Sequence, residues 1–270
     1  GKVTYHYWPE HPGQMSAYSH CLKNYGKESE WIAFIDLDEF LFPTEKDDLK
    51  ELLDEFKEYP AIGVNWLNFG TSGHETKPVG LQIENFTKRA LDSHGPNKHI
   101  KSIVRPERTI KPVNPHCFLY KKGRAVTENK ELIKGAISDK YSVKKLRINH
   151  YTTRSKEESR RKMMRGRATK KEQRDWSYFE SKDVIFNQVE DLTIQRFVPK
   201  LKKAIETINM GLNKSKMLPI EKSKYSLKEI RELMQEFEAK LSEKKVRLKD
   251  YQAKLEKFQR QLERSLSQPN

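Results

Sequence analysis

Along the first two hundred residues, apolar positions recur at spacings that predict short strands and helices in alternation. Val3, Tyr5 and Tyr7 set against Thr4 and His6 predict a strand over 3–8, ended by Pro9 and Pro12. Met15, Tyr18, Cys21, Leu22 and Tyr25 then recur at helical spacing, with Gly26 as the stop. Trp31 to Ile35 is an apolar run that leads straight into Asp36-Leu37-Asp38-Glu39, and Pro43 closes the stretch. Thr44 predicts the cap of a helix whose Leu49, Leu52, Leu53 and Phe56 pack on a sheet. Ala61 to Phe69, with Ile62, Val64, Trp66 and Leu67, predicts a buried strand running into Gly70-Thr71-Ser72-Gly73-His74, a natural ligand loop or an ordinary turn.

From Gly80 the pattern is β-like, with pieces at Leu81–Phe86, His99–Pro106, His116–Tyr120 and Leu146–Tyr151, punctuated by Pro106, Pro112 and Pro115. Ser155-Lys-Glu-Glu158 carries the capping-box pattern that opens a helix. Two strand–helix–strand passages predict an α/β core with some parallel pairing, whose ligands gather at the carboxyl ends of strands. This domain is expected to span 1–212. A polar, aperiodic linker holding Pro219 follows over 213–224. Beyond it Leu227, Ile230, Met234, Phe237, Leu241, Leu248, Tyr251, Leu255, Phe258 and Leu262 keep one heptad register, interrupted at Lys244. That predicts a coiled coil over 225–268, which makes a homo-oligomer or docks a helical partner.

Composition sharpens this picture. Hydrophobic residues make up only 35% of the chain, but aromatics reach 10%, so the polarity is expected to be concentrated in particular segments. The segment 144–174 is one, with thirteen Lys or Arg against three Glu. A net charge of +15 admits nucleic acid, an anionic membrane or a phosphorylated small molecule as partner. Nucleic acid is disfavoured by the scarcity of stacking aromatics around Met163 and Met164. Two cysteines without a C-x-x-C pair favour a reducing compartment and give no zinc signal. The chain holds no run of eighteen apolar residues and no signal-like start, so a soluble, cytoplasmic protein is expected. Because it opens already in strand-like alternation, an N-terminal piece is expected to precede Gly1.

The candidate chemistry begins at the two aspartates. Side chains alternate along an extended chain, so Asp36 and Asp38 are expected to face the same way from a strand end, as two hard oxygen ligands for a divalent cation. The competing reading is an acidic turn closing a core strand. His150 is the candidate third ligand, and Arg154, Arg160, Arg161 and Lys162 are candidates for charge-assisted hydrogen bonds to phosphate oxygens. The combination fits glycosyl transfer from a nucleotide sugar, in which diphosphate leaves a cation-like sugar carbon.

Five motifs in order carry a resemblance: Asp36-Leu-Asp38-Glu-Phe; Trp66-Leu-Asn-Phe-Gly70-Thr-Ser-Gly73; Lys101-Ser-Ile-Val-Arg105-Pro106; Pro115-His116; and Asn149-His150-Tyr151 with Arg154-Ser155-x-Glu-Glu158. Over about residues 10–168 the chain resembles the family 92 glycosyltransferases and their bacterial relatives. The resemblance implies a GT-A-like, Rossmann-like mixed sheet flanked by helices. It also implies a nucleoside-diphosphate sugar donor, Mn²⁺ or Mg²⁺, a glycan or other hydroxyl acceptor, and an inverting transfer, often of galactose. Asp36 and Asp38 correspond to the metal-binding D-x-D. The strand and loop with which GT-A enzymes grip the nucleotide base have no counterpart after Gly1.

An inverting transfer needs a base. Glu84 is the first candidate, with Glu39 as the other carboxylate and His74 and His116 as imidazole alternatives; each has an ordinary structural role as its competitor. Arg105 is expected to meet a substrate phosphate or to pair with a carboxylate. Two rival functions remain at this level. A haloacid-dehalogenase-like phosphatase also ends an apolar strand in D-x-D, but continues with Thr or Val two residues on, where Glu39-Phe40 stands here. The other is a basic nucleic-acid-binding module built on 144–174.

Overall fold

The structure, a computed structural model, describes residues 3–165 and 175–216. Residues up to Lys202 belong to one compact unit and those from Lys203 onward to a second, of which only the continuation of one helix is described. In chain order the first unit holds α1 (Gln14–Tyr25), β1 (Ile32–Ala33), β2 (Glu39–Pro43), α2 (Leu49–Leu53), β3 (Ala61–Asn68), α3 (Gln82–Asn85), β4 (Lys88–Arg89) and β5 (Ile100–Val104). It continues with β6 (Thr109–Pro112), β7 (Phe118–Tyr120), β8 (Leu146–His150), α4 (Lys156–Arg165), α5 (Trp176–Phe186), β9 (Val189–Glu190) and the start of α6 (Val198–Lys216).

A five-stranded mixed sheet in the order β1-β5-β3-β8-β2 forms the frame. Its pairs are antiparallel except β3 with β8, which run parallel from Trp66↔Ile148 to Asn68↔His150. The α/β expectation is met, with one parallel pair at its centre. All eight residues of β3 and all five of β5 are buried, because other elements cover both faces of these strands. One cluster packs Leu52, Leu53 and Phe56 against Ile62, Val64 and Ile148, as the helical spacing predicts. Each such buried apolar side chain contributes about 1.5–3 kcal/mol. The cap of α2 is Asp48 rather than Thr44, its side chain accepting from Lys50 N at 2.8 Å.

A second cluster of Phe42, Leu67, Phe69, Phe86 and Tyr151 lies under α3 and the first turn of α6. Beside it a buried ion cluster ties three strands. Asp191, just past β9, accepts from Arg89 Nε of β4 and Arg147 Nη2 of β8, both at 2.7 Å.

Two expected strands are absent. Residues 3–8 are irregular, and Val3, Tyr5 and Tyr7 stand exposed, so their alternation has no sheet to face. Leu81–Phe86 forms the short helix α3, because Leu81 N is bonded to Glu84 Oε2 at 3.2 Å and a helical turn forms over 82–85. Helix α6 runs to Lys216, so its last turn occupies the first residues of the expected linker. The rest of that linker and the expected coiled coil at 225–268 lie outside the described residues. No helix among the described residues is long and apolar enough to cross a membrane.

Candidate active site

The two aspartates sit on a turn rather than at a strand end. Glu39 N donates to Asp36 O at 3.0 Å and Asp36 N donates to Glu39 Oε2 at 2.9 Å, closing 36–39 from both sides. Leu37 is fully exposed at the turn, and Asp36, Leu37 and Asp38 all line a cavity of about 850 Å³. Both aspartates face one cavity as expected, but the turn places them there, and each carboxylate has its own ammonium partner.

Asp36 accepts from Lys101 Nζ at 2.9 Å and from Gln14 Nε2 at 2.8 Å. Lys101 is the second residue of β5 and is almost wholly buried. Glu39, also fully buried, stands 3.6 Å from the same ammonium and leaves Oε1 without a partner. Burial pushes the Glu39 carboxyl up to about 8; the Lys101 ammonium opposes the rise and the Asp36 and Asp38 carboxylates add to it. Glu39 and Lys101 together brace the turn from behind.

Asp38 is placed by strand pairing. Glu39 stands opposite His150 in the β2–β8 ladder, and Tyr151 N donates to Asp38 O at 2.8 Å. His150 Nε2 is therefore 3.9 Å from Asp38 Oδ1, while Lys162 Nζ lies 2.5 Å from Asp38 Oδ2 and donates to Thr152 O at 3.0 Å. Burial opposes the Asp38 charge, but Lys162, His150 and Arg154 more than offset it and hold the carboxyl below its ordinary range. Burial pushes His150 down to about 4, so it is a neutral imidazole at neutral pH. Its Nδ1 is buried without a partner.

Lys162 reaches the cavity because α4 starts where the capping pattern predicts. Ser155 and Glu158 exchange bonds, with Ser155 Oγ to Glu158 Oε2 at 2.9 Å and Glu158 N to Ser155 Oγ at 3.2 Å. Just before the cap, Arg154 has φ +53°, a left-handed conformation strained for a residue with a side chain. Arg154 and Lys162 line the main cavity and also an adjoining one of about 240 Å³, which Lys77 and Arg161 share.

Trp66, His99 and His116 form the facing wall, and Tyr178, Phe179 and Lys182 of α5 add to the lining. The rings of His99, His116 and His150 all lie within 5.5 Å of the Trp66 indole, centroid to centroid.

Of the residues singled out from the sequence, the cavity collects Asp36, Asp38, His150, Arg154 and Lys162, with His116 among the alternatives. The others are engaged elsewhere. Glu84 pairs with Lys202 at 2.5 Å and closes the α3 turn, and His74 Nε2 bonds Asn85 O at 3.0 Å. Arg105 pairs with Glu107 at 2.7 Å and lies over Trp31. Arg160 lies over the Trp176 ring at 4.6 Å, and Arg161 pairs with Glu157 while lining only the smaller cavity. Neither Gln14 nor Lys101 was a sequence candidate. Lys101 had a signal, as the lone charge inside the apolar run Ile100–Val104; Gln14 had none.

The donor set suits a hard divalent ion: two carboxylates and a neutral imidazole on one cavity, both carboxylates already attracting cations. Among the described residues no three such groups converge as a ready-made cage. Magnesium-type sites commonly take one or two protein carboxylates and complete the shell with substrate phosphates and water. The residues fit an ion held in that way, with Asp38 and His150 nearest each other.

These features define an α/β domain in which a carboxylate turn, a buried imidazole and basic side chains meet at one cavity. The family model Glycosyltransferase family 92 matches residues 1–189, and the chain belongs to that family. It is 33% identical over 108 residues to a glycosyltransferase family 92 protein of Oryza sativa subsp. japonica, covering 39% of this chain and 18% of that protein. A family 92 protein of Arabidopsis thaliana is 31% identical over 134 residues, or 45% of this chain and 23% of the relative. One of Caenorhabditis elegans is 36% identical over 99 residues, or 35% and 19%. The chain thus spans about a fifth of the length of the curated relatives it matches.

Proposed function

We propose that this domain is the catalytic part of a GT-A-type glycosyltransferase that moves a hexose from a nucleoside-diphosphate sugar to a hydroxyl acceptor, with inversion. The observation that carries this reading is the single cavity in which Asp36, Asp38 and His150 face Arg154 and Lys162. Its carboxylate end suits a divalent ion and its basic end a diphosphate. Family membership supports the same reading.

Asp38 and His150, with Asp36 beside them, would hold Mn²⁺ or Mg²⁺, which when bound neutralises charge on the leaving diphosphate. Lys162 and Arg154 stand where they can donate hydrogen bonds to diphosphate oxygens as negative charge builds on them. The Glu39–Lys101 pair keeps the turn in register.

The test is a donor screen on the natural full-length polypeptide with Mn²⁺ or Mg²⁺, reading nucleotide release in the presence of sugar acceptors. One class of nucleotide sugar is expected to turn over. Asp38→Asn is expected to lower the rate by about 100-fold or more, the scale of removing one well-placed electrostatic group. A folded protein that releases nucleotide from no donor would overturn the proposal.

A further inference from the structure

Transfer to a hydroxyl leaves a proton to be removed, and the carboxylates near the cavity are all committed. Asp36 is held by Lys101 and Gln14, Asp38 by Lys162, Asp175 caps α5 by accepting from Tyr178 N and Ser177 Oγ, both at 2.9 Å, and Glu39 is sealed behind the turn. Glu84 and His74 are bonded away from the cavity. The imidazoles on the facing wall are in a different condition. His116 Nδ1 lies 2.9 Å from Ile100 O. A carbonyl oxygen only accepts, so Nδ1 carries the proton and Nε2 presents a lone pair.

The ring's position is fixed from several sides. Asn114 Oδ1 accepts from the backbone N–H groups of His116 and Cys117 at 2.9 and 3.0 Å, and Ser102 Oγ donates to His116 O at 2.7 Å. The ring packs edge-on to Trp66 at 5.3 Å. His99 also bonds a carbonyl, Pro96 O at 3.1 Å, but its ring is stacked on Trp66 with an interplanar angle of 20°. Burial pushes His116 down to about 4, which keeps it neutral and able to accept. The Ile100 carbonyl and the Asp36 carboxylate favour the imidazolium once it forms, while the Lys101 ammonium and His99 oppose it.

We propose that His116 Nε2 takes the proton from the acceptor hydroxyl, an assignment that rests on the glycosyl-transfer reading above. The acceptor oxygen forms its bond to the anomeric carbon as the bond from that carbon to the diphosphate oxygen breaks. The hydroxyl proton passes to His116, and the electron pair leaves with the nucleoside diphosphate. The Nδ1–H···O=C bond to Ile100 holds the ring in the required tautomer throughout.

The experiment compares wild type, His116→Gln and His116→Ala in the full-length protein, measuring sugar transfer and, separately, nucleoside-diphosphate affinity. Transfer kcat is expected to fall by about 10²- to 10⁴-fold in both variants with nucleotide affinity within a few-fold of wild type. Added imidazole is expected to restore part of the rate to His116→Ala, which a purely structural role would not allow. Either variant folded and transferring within a few-fold of wild type would overturn the assignment while leaving the glycosyltransferase reading intact. A fall in rate with no rescue and an equal loss of nucleotide affinity would also overturn it. No transfer by wild type itself would remove both.

Discussion

His150 and His116 are neutral because the fold buries them, and that makes each a source of pH-dependent stability. Both are pushed down to about 4 from 6.5. The unfolded chain takes up protons on them below about pH 6.5, and the folded chain only near 4. Their stabilisation is therefore fully present above 6.5 and is lost as pH falls towards 4. Glu39 runs the other way: its carboxyl is pushed up to about 8, so its contribution is present at low pH and lost as pH rises through 8. The histidine effect is accordingly read as a difference. Relative to wild type, His150→Gln is expected to gain about 2 kcal/mol in unfolding free energy between pH 7.5 and pH 5, measured by urea denaturation. A difference independent of pH would show that His150 is not held neutral. At this scale the sequence pointed to Asp36, Asp38 and His150 through motif order. It did not reveal Lys101 as the buried counter-charge of Asp36, because the lone charge within Ile100–Val104 marks a residue but nothing local names a partner 65 positions away.

Among the elements, the ones that place the site are β8, its parallel neighbour β3 and its antiparallel neighbour β2, and Asp191 ties β8 to β4 and β9. That carboxyl is held well below its ordinary range: burial opposes the charge, and Arg147 and Arg89 overcome it. Removing the charge leaves two arginines facing a neutral amide inside the protein. Asp191→Asn is therefore expected to cost about 3–5 kcal/mol, read as a lowered denaturation midpoint at pH 7. The Asp191 contribution is present above the ordinary carboxylate range and lost as pH falls below it, so the two proteins should converge in acid. Equal midpoints at neutral pH would show that the cluster does not hold the strands. The strands β3 and β5 were legible as largely apolar runs buried on both sides, and β8 by Leu146 and Ile148 alternating with Arg147 and Asn149. Leu81–Phe86 was not, because a helix of one turn is too short to show a period, and its spacing of apolar residues also fits a strand. The alternation at 3–8 misled because it describes a face, and only tertiary contact says whether a sheet meets it.

For the whole molecule, the relevant quantity is the formal net charge of +15, which the sequence states outright but whose distribution only the fold reveals. The segment 144–174 was legible as basic. That Arg154 and Lys162 turn inward to a cavity, while Arg160 lies on Trp176, depends on where α4 begins and which way it faces. The expected heptads beyond Leu227 lie outside the described residues. So large an excess of one sign gives salt two opposite effects. Screening weakens repulsion among like charges in the folded chain, so the thermal midpoint is expected to rise between 0.02 and 0.3 M salt, which shortens the screening length from roughly 20 to 6 Å. The same screening weakens attraction between the basic end of the cavity and an anion. Affinity for a nucleoside diphosphate is therefore expected to fall over that range, and more steeply in wild type than in Lys162→Met. Calorimetric titration beside thermal melts would separate the two effects. A nucleotide affinity that ignores salt in both proteins would mean that Arg154 and Lys162 do not meet the diphosphate, and would direct attention back to the facing wall of histidines.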